Sequence, residues 1–338
     1  MKWRLGYYKK RVKQIIGKKS NMLRIYDEMV KKSERCPDTR FNRFDYLCSY
    51  IMFGTEPEDY FSFDFFERRN PFFRNHHVTR TRMNYIKEKL NTPSAVKILN
   101  SKADFNSIYE EYLGRKWCCP NDTDEETFVN RLSSEKGEVF VKLLSGFGGK
   151  GAFRTSADAD NLRKLYKELT EGDAKYIVEE YYDQKGFLRD VNPSSLNTIR
   201  VTTLRTPKDI VPLYAYYRAG GADSAVDNLH SGGVRYTIDI KNGEFLKGIN
   251  YTGNNIENHP STGIKVAGYI LPLWHDVIEF VTKLHKMAPE GATLIGWDVC
   301  VSDDKMVVIE GNAGPGFPQE IRFSDNTLKK VRKCLSAI

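Results

Sequence analysis

Apolar positions along these 338 residues recur at helical spacing in the first third and at strand spacing further on. Leu5, Tyr8, Val12, Ile15, Ile16 and Leu23 fall on one helical face with cations on the other, which predicts a basic amphipathic helix. Phe44, Leu47, Cys48 and Ile51 predict a second helix stopped by Gly54, and a third runs from Thr79 to about Leu90. Between them, Tyr60 to His77 carries Phe61, Phe63, Phe65, Phe66, Phe72 and Phe73, either as packing for a helical subdomain or as an aromatic substrate groove. Ser101-Lys102 predicts a loop feeding a helix over Ala103 to Leu113, and Trp117 to Pro120 a short extended piece. From there strands dominate: Val139 to Leu144, a return strand from Ala152, Tyr176 to Tyr182, Asn197 to Arg205 and Tyr214 to Gly221. Helices are predicted over Ala157 to Leu169, over Pro272 to His285 and, as a basic tail, around Asn326 to Leu335.

One hairpin stands out. Leu294 to Val301 and Lys305 to Glu310 are strand-like arms around the polar Ser302-Asp303-Asp304. Asp298 lies in the first arm, and Glu310 and Asn312, two apart in extended chain, share one face. If the arms pair, Asp298 comes close to Glu310. Three hard oxygen donors followed by Gly314, Pro315 and Gly316 suit Mg²⁺ that itself holds phosphate oxygens. Solvated acids on the outer face of the hairpin are the plain alternative.

Composition narrows the class. The length suggests two domains. No apolar run approaches the roughly 18 residues of a membrane span, and MKWRLGYYKKRVKQ lacks a signal-peptide centre, so a cytoplasmic address is expected. The six cysteines show no zinc spacing and are expected to be reduced. Of 52 Lys and Arg, eight lie in residues 1–20 with no acid among them; setting those eight aside leaves 44 basic against 44 acidic residues. A broad nucleic-acid face is therefore not expected. The basic segment can lie on an anionic membrane surface, or pack on its own domain.

The chemistry begins at VFVKLLSGFGGKGAFRT, where Lys142 precedes the glycine loop Ser145 to Gly151. Gly146, Gly148 and Gly151 satisfy GxGxxG, but the loop feeds a second extended piece rather than a helix, which excludes a dinucleotide-binding fingerprint. A Walker A loop lacks its first glycine at Leu144. The lysine stands before the loop instead of after it and no Asp-Phe-Gly follows, which excludes a protein kinase. What remains is a glycine hairpin able to close over phosphates, with Lys142 beside it and Lys102 as a second candidate contact. Arg200 and Arg218 lie in predicted strands and call for anionic partners. Asn228 and His230 follow in DNLHSGGV.

The ordered set Lys102, Lys142 with SGFGGKG, VEEY, NTIRV, Arg218 with DNLHSGG, and GWDV with IEGN resembles the ATP-grasp superfamily over roughly Ser94 to Gly316, about two thirds of the chain. It looks most like the sugar-transfer-associated branch, found with surface-polysaccharide genes, and its NTIR, NLHSGG and EGN segments are similar to those of glutamate-type ligases. The resemblance implies an α+β ATP-grasp fold over residues 94–338, with a small lid of about 139–178 and a larger mixed-sheet, metal-binding core of about 179–338, behind a mainly helical subdomain of residues 1–93. It implies that Lys102 and Lys142 contact ATP phosphates and that Ser145, Gly146, Gly148, Gly149 and Gly151 cover them. Glu179 and Tyr181 would meet adenine through backbone groups, Glu180 would lie near the sugar or the lysines, and Asn228 joins the nucleotide set. The ribose-binding acid has no clear counterpart, Asp183 being the nearest. Asp298, Glu310 and Asn312 would bind Mg²⁺, and Arg200 and Arg218 would face the transferred phosphoryl and the substrate carboxylate.

The activity implied is ATP-dependent joining of a carboxylate and an amine through an acyl phosphate, in polysaccharide biosynthesis. The partners would be small carboxylates and amines or a lipid- or nucleotide-linked sugar, at the inner membrane surface if residues 1–20 bind there. A phosphotransferase using the same nucleotide residues and a non-catalytic nucleotide-binding scaffold are the alternatives.

Overall fold

The computed structural model describes residues 21–31, 33, 36–75, 77–145, 151–221, 233–249, 255–303, 305–316 and 331. They fall into two compact units, one running to Leu90 and taking in Gly316 and Val331, the other Asn91–Pro315. The predicted helix over residues 1–20, most of the tail helix, Gly146, Gly148, Gly149 and Asn228 lie outside the described residues.

The first unit is helical: α1 (residues 21–31), α2 (Arg40–Phe53), α3 (Pro57–Ser62), α4 (Pro71–Asn75) and α5 (Arg80–Leu90). Thr39 starts α2 by accepting the Asn42 N–H, and Gly54, at φ 72°, ends it. Most of the aromatic segment turns inward, while Phe72 stays exposed. Tyr60, Phe63, Phe65 and Phe66 are buried with Tyr26 and Tyr46, whose rings stack at 4.7 Å. Arg74, buried among them, pairs with Asp45 at 2.6 Å, and Tyr60 donates to the same carboxylate at 2.7 Å. These rings are a core rather than an open groove.

The second unit opens with α6 (Pro93–Asn100), α7 (Lys102–Ile108) and α8 (Glu110–Leu113). The sequence reading missed α6, whose start is Thr92 capping the Ala95 N–H ahead of Pro93. Ser101 caps α7, so the expected single helix over Ala103 to Leu113 is two, broken at Tyr109.

A four-stranded antiparallel sheet runs in the order β1 (Trp117–Cys118), β4 (Tyr176–Glu180), β2 (Glu138–Leu143), β3 (Phe153–Ser156). Helices α9 (Glu125–Leu132) and α10 (Ala159–Thr170) lie on it, burying Phe128, Leu132, Leu162 and Leu165 against Val139, Val141 and Val178. The sheet therefore has one apolar face and one face left for polar work.

After α11 (Phe187–Val191), the larger sheet is built from β5 (Thr198–Arg205), β6 (Ile210–Ala219), β7 (Val234–Ile238), β8 (Phe245–Ile249), β9 (Asn255–Ile256), β10 (Leu294–Val301) and β11 (Met306–Asn312). Its order is β11-β10-β5-β6-β7-β8-β9, and every pair among these strands is antiparallel, where a mixed sheet was expected. Alternation sorts its two faces. Ile199, Val201, Ala215, Tyr217, Tyr236, Ile295, Trp297 and Val299 share a core with Val277, Val281 and Leu284 of α12 (Trp274–Lys286). Arg200, Thr202, Tyr216, Arg218 and Asp298 occupy the alternate positions and so the opposite face. No helix of the described residues is long and apolar enough to cross a membrane.

Candidate active site

Register places the polar side chains in three rows across this face. Glu310, Asp298, Arg200, Tyr216 and Thr237 are successive cross-strand partners from β11 to β7. Asn312, Gly296, Thr202 and Tyr214 form the row on one side, and Thr198, Arg218 and Arg235 the row on the other. The hairpin thus pairs as its sequence predicts, with Asp298 directly opposite Glu310 and a bulge just beyond.

Asp298 is the hub. Its carboxylate accepts from Arg200 Nε, from Arg200 Nη2 at 2.6 Å and from Arg218 Nη2 at 2.7 Å. Arg218 is held in turn by Thr198 Oγ1 at 2.9 Å. Burial opposes ionisation of Asp298, but the two guanidiniums outweigh it and bring the carboxyl down to about 2. Burial likewise works against the charge on Arg200, and Asp298 more than restores it.

Gly296 explains part of the GWDV motif: a methyl there would lie 2.7 Å from Pro315 Cβ and 3.0 Å from Arg200 Cδ. Only glycine lets the Arg200 side chain pass along the sheet to Asp298.

Glu310 is the contrasting carboxyl. Desolvation and the adjoining Asp298 raise it above the usual range. Its side chain keeps 54% of its surface open, so the neighbouring negative charge is the more dependable of the two causes. The two carboxyls are direct cross-strand neighbours, so the charge on Asp298 works against the charge on Glu310. Asn312 donates its amide nitrogen to Glu310 Oε1 at 2.9 Å, which commits its nitrogen rather than its oxygen.

Two facing carboxyls with an amide beside them offer hard oxygen donors of the kind that would suit Mg²⁺ held together with phosphate oxygens. Among the described residues no group of three or more His, Cys, Asp or Glu could hold a metal by itself.

The two lysines gather at the β11 end. Lys102, the first residue of α7, donates to Leu144 O at 3.2 Å. Lys142 pairs with Glu179 at 2.5 Å and lies over the Phe140 ring. Burial and the nearby Lys142 lower the Lys102 pKa, while Glu310 and Glu179 offset part of that. Two ammonium groups repelling one another beside a carboxyl pair form an anion-binding edge.

Glu179 is placed differently from the expectation that it meets adenine through its backbone. It sits in β4 between two paired strands, and its buried carboxylate accepts from Arg115 at 2.9 Å, Asn106 at 2.8 Å and Lys142. Burial would raise that carboxyl, but Arg115 and Lys142 overcome it and hold it well below the usual range. The Tyr181 N–H is also spent, on Glu138 O at 2.8 Å, and the Glu180 N–H donates to Lys116 O at 2.9 Å. The Glu180 carboxylate takes the Lys116 N–H at 2.7 Å. Asp183 lies exposed beyond β4, apart from the carboxylate and arginine rows, and Ser145 is exposed at the end of the β2 extension. Gly151 re-enters at φ 72°, in the left-handed region, just before β3.

Sequence reasoning missed Arg115, Asn106, Thr198, Tyr216 and Arg235. Arg115 donates to Val308 O at 3.0 Å and Ile309 O at 3.3 Å as well as to Glu179, and so ties β11 to β4. Its partners lie far away in the chain, and no local signal marks it.

A glycine-linked antiparallel sheet and a larger sheet that carries carboxylates and arginines on one face define an ATP-grasp protein. Residues 80–333 match the model of the sugar-transfer associated ATP-grasp family, and the chain belongs to that family. A glutathione synthetase of Ralstonia nicotianae is 27% identical over 121 residues, 34% of this chain and 36% of that protein. The chain thus matches little more than a third of the length of that curated relative. Among solved structures, D-alanyl-alanine synthetase A of Vibrio cholerae aligns with a TM-score of 0.45 at 12% identity, over 73% of this chain and 68% of that one. An L-amino acid ligase of Bacillus licheniformis aligns with a TM-score of 0.42 at 12% identity, over 71% and 48%.

Proposed function

We propose that this chain is an ATP-dependent carboxylate–amine ligase that releases ADP and phosphate. The observation that carries the reading is the row Glu310–Asp298–Arg200, with the lysine edge beside it and Arg218 diagonal to it. Lys102 and Lys142 would take the ATP phosphates, and Lys142 would exchange Glu179 for them. Asp298, Glu310 and Asn312 would hold Mg²⁺, which supplies charge neutralisation at the phosphate oxygens. Arg200 would offset charge on the phosphoryl group in transfer, and Arg218 would orient the acceptor carboxylate. That carboxylate attacks the γ-phosphorus, the bond to ADP breaks, and the resulting acyl phosphate loses phosphate when an amine attacks its carbonyl carbon. The glycine loop would keep water away from the acyl phosphate.

The substrates proposed are an amino acid or other amine and an acidic sugar or small acid in surface-polysaccharide biosynthesis, the sugar carried on a lipid or nucleotide. Residues 1–20 would hold the enzyme at the membrane surface; liposome flotation at two salt concentrations, with and without those residues, tests this. The activity is tested by screening amino acids against uronic acids with an ADP readout. ADP and free phosphate that appear only when both a carboxylate and an amine are present support ligation. ADP formed with a hydroxyl acceptor that retains the phosphate would instead identify a phosphotransferase.

A further inference from the structure

The helical unit buries most of its rings, yet one of its helices keeps a second apolar face outside. Phe41, Phe44, Cys48 and Met52 follow one another along α2 at steps of three and four residues, which sets them in one stripe. Phe41, Phe44 and Met52 are 57%, 65% and 48% exposed, and Leu47 and Ile51 line the stripe half-buried. The contact of α2 with the core is made on its other face, through Tyr46 and Tyr50. A continuous exposed apolar surface rimmed by polar groups marks an interaction site. The exposed charges of α2 have one sign. Arg40 and Arg43 are exposed, whereas the one acid of the helix, Asp45, is taken by Arg74 and Tyr60. Arg43 meets Asp27 in a pair whose members are 45% and 41% exposed, and a pair so open to water holds its arginine only weakly. Arg69 adds a third guanidinium, 4.6 Å over the Phe41 ring, and Phe72, 77% exposed, stands three residues beyond it.

We propose that this face of α2 docks on an anionic lipid surface, with Phe41, Phe44 and Met52 set into the boundary between headgroups and acyl chains and Arg40 and Arg69 on lipid phosphates. Apolar side chains on one helix face with guanidiniums at its rim match that boundary in both polarity and charge. A second copy of the chain matches it less well, because a symmetric contact would set these arginines against their own equivalents with no acid of α2 between them. The inference deepens the membrane-surface reading of residues 1–20 and rests on it for the place where the enzyme works, while the stripe itself stands on exposure and charge. Two weak contacts on one chain reinforce each other, since the first holds the second near the surface.

The full chain is floated with phosphatidylcholine vesicles that contain or lack phosphatidylserine. Wild-type protein is expected to float with the phosphatidylserine vesicles and to stay behind with the others. Phe41→Ser combined with Phe44→Ser is expected to lower the partition by about tenfold or more, because two phenyl rings leave the lipid. Arg40→Glu, a change at an exposed first-turn position where an acid is welcome to the helix, gives a second variant that should also weaken flotation. In parallel, Lys9→Gln, Lys10→Gln and Arg11→Gln together probe the N-terminal segment. Loss in the α2 variants alone keeps the stripe and defeats the reading of residues 1–20; loss in the N-terminal variant alone overturns the stripe and keeps that reading. Loss in both supports both, and a wild type that does not float, or floats equally on the two vesicle types, overturns the proposal. Sedimentation without lipid tests the other occupant: a wild-type dimer that the double phenylalanine variant loses, with no flotation, assigns the face to a second copy instead.

Discussion

Asp298 faces Arg200 directly across the β10–β5 pair, and both side chains are almost wholly enclosed, with 1% and 6% of their surfaces exposed. An ion pair shut away in this manner is costly to break from one side, because the surviving charge has no solvent to turn to.

Asp298→Asn is expected to cost about 3–5 kcal/mol in urea unfolding and to abolish ATP turnover. The acid limb of stability should change too. A carboxyl held at about 2 against an ordinary 3.8 contributes stability that is present above 3.8 and lost as pH falls through about 2. The asparagine variant should lack that limb, and a loss within experimental error of zero would remove Asp298 from the centre of the network.

Glu310→Gln should separate chemistry from folding. With its side chain half open to solvent, the substitution is expected to change stability by no more than about 1 kcal/mol. Mg²⁺-dependent ATP turnover should disappear, and with it the rise in Tm that Mg²⁺ and ATP together produce. Full turnover in this variant would rule out metal binding by the pair.

Arg115 is expected to act through Glu179 on Lys142. Arg115→Met leaves the buried Glu179 carboxylate to Lys142 and Asn106, which should cost about 3–5 kcal/mol. The KM for ATP should rise more than kcat falls, because Lys142 is held harder on Glu179. Adding Glu179→Gln removes the stranded charge, so the double variant should be more stable than Arg115→Met alone. A purely additive loss in the double variant would argue against coupling.

His285 supplies a pH test away from the site. It lies buried in α12, bonded to Thr203 Oγ1 at 2.6 Å and Ala292 O at 3.1 Å, and burial lowers its pKa from 6.5 to about 4. Between those values the unfolded chain binds a proton that the folded state refuses, so stability falls as pH drops, by up to about 1.4 kcal/mol per pH unit. Urea titrations of the wild type and His285→Gln from pH 7 to 4 should differ in that slope.

Much of the site was legible in the chain because its signals are local. A polar turn between two apolar arms made the Asp298–Glu310 hairpin readable, and strict alternation in NTIRVTTLR put Arg200 on the face opposite Ile199 and Val201. Gly54 and Gly151, both at positive φ, marked their turns by conformation alone. The aromatic segment before His77 could have been groove or core by composition, and only packing around Arg74 and Asp45 decided it.

The sequence by itself determined which residues alternate, where chains turn and which side chains can carry phosphate, metal or carboxylate chemistry. Only the tertiary structure decided which of them meet. Asn91 accepts from the Thr293 and Leu294 N–H groups and donates to Leu294 O and Ala313 O, anchoring α6 to the hairpin from some two hundred residues away. Arg115 reaches β11 across 193 residues and Glu179 across 64, and Arg235 becomes the neighbour of Arg218 through strand register. Periodicity is written in adjacent residues, whereas strand partners and buried charge pairs are chosen by which arrangement encloses the core and leaves no charge unmatched, a property of the whole chain.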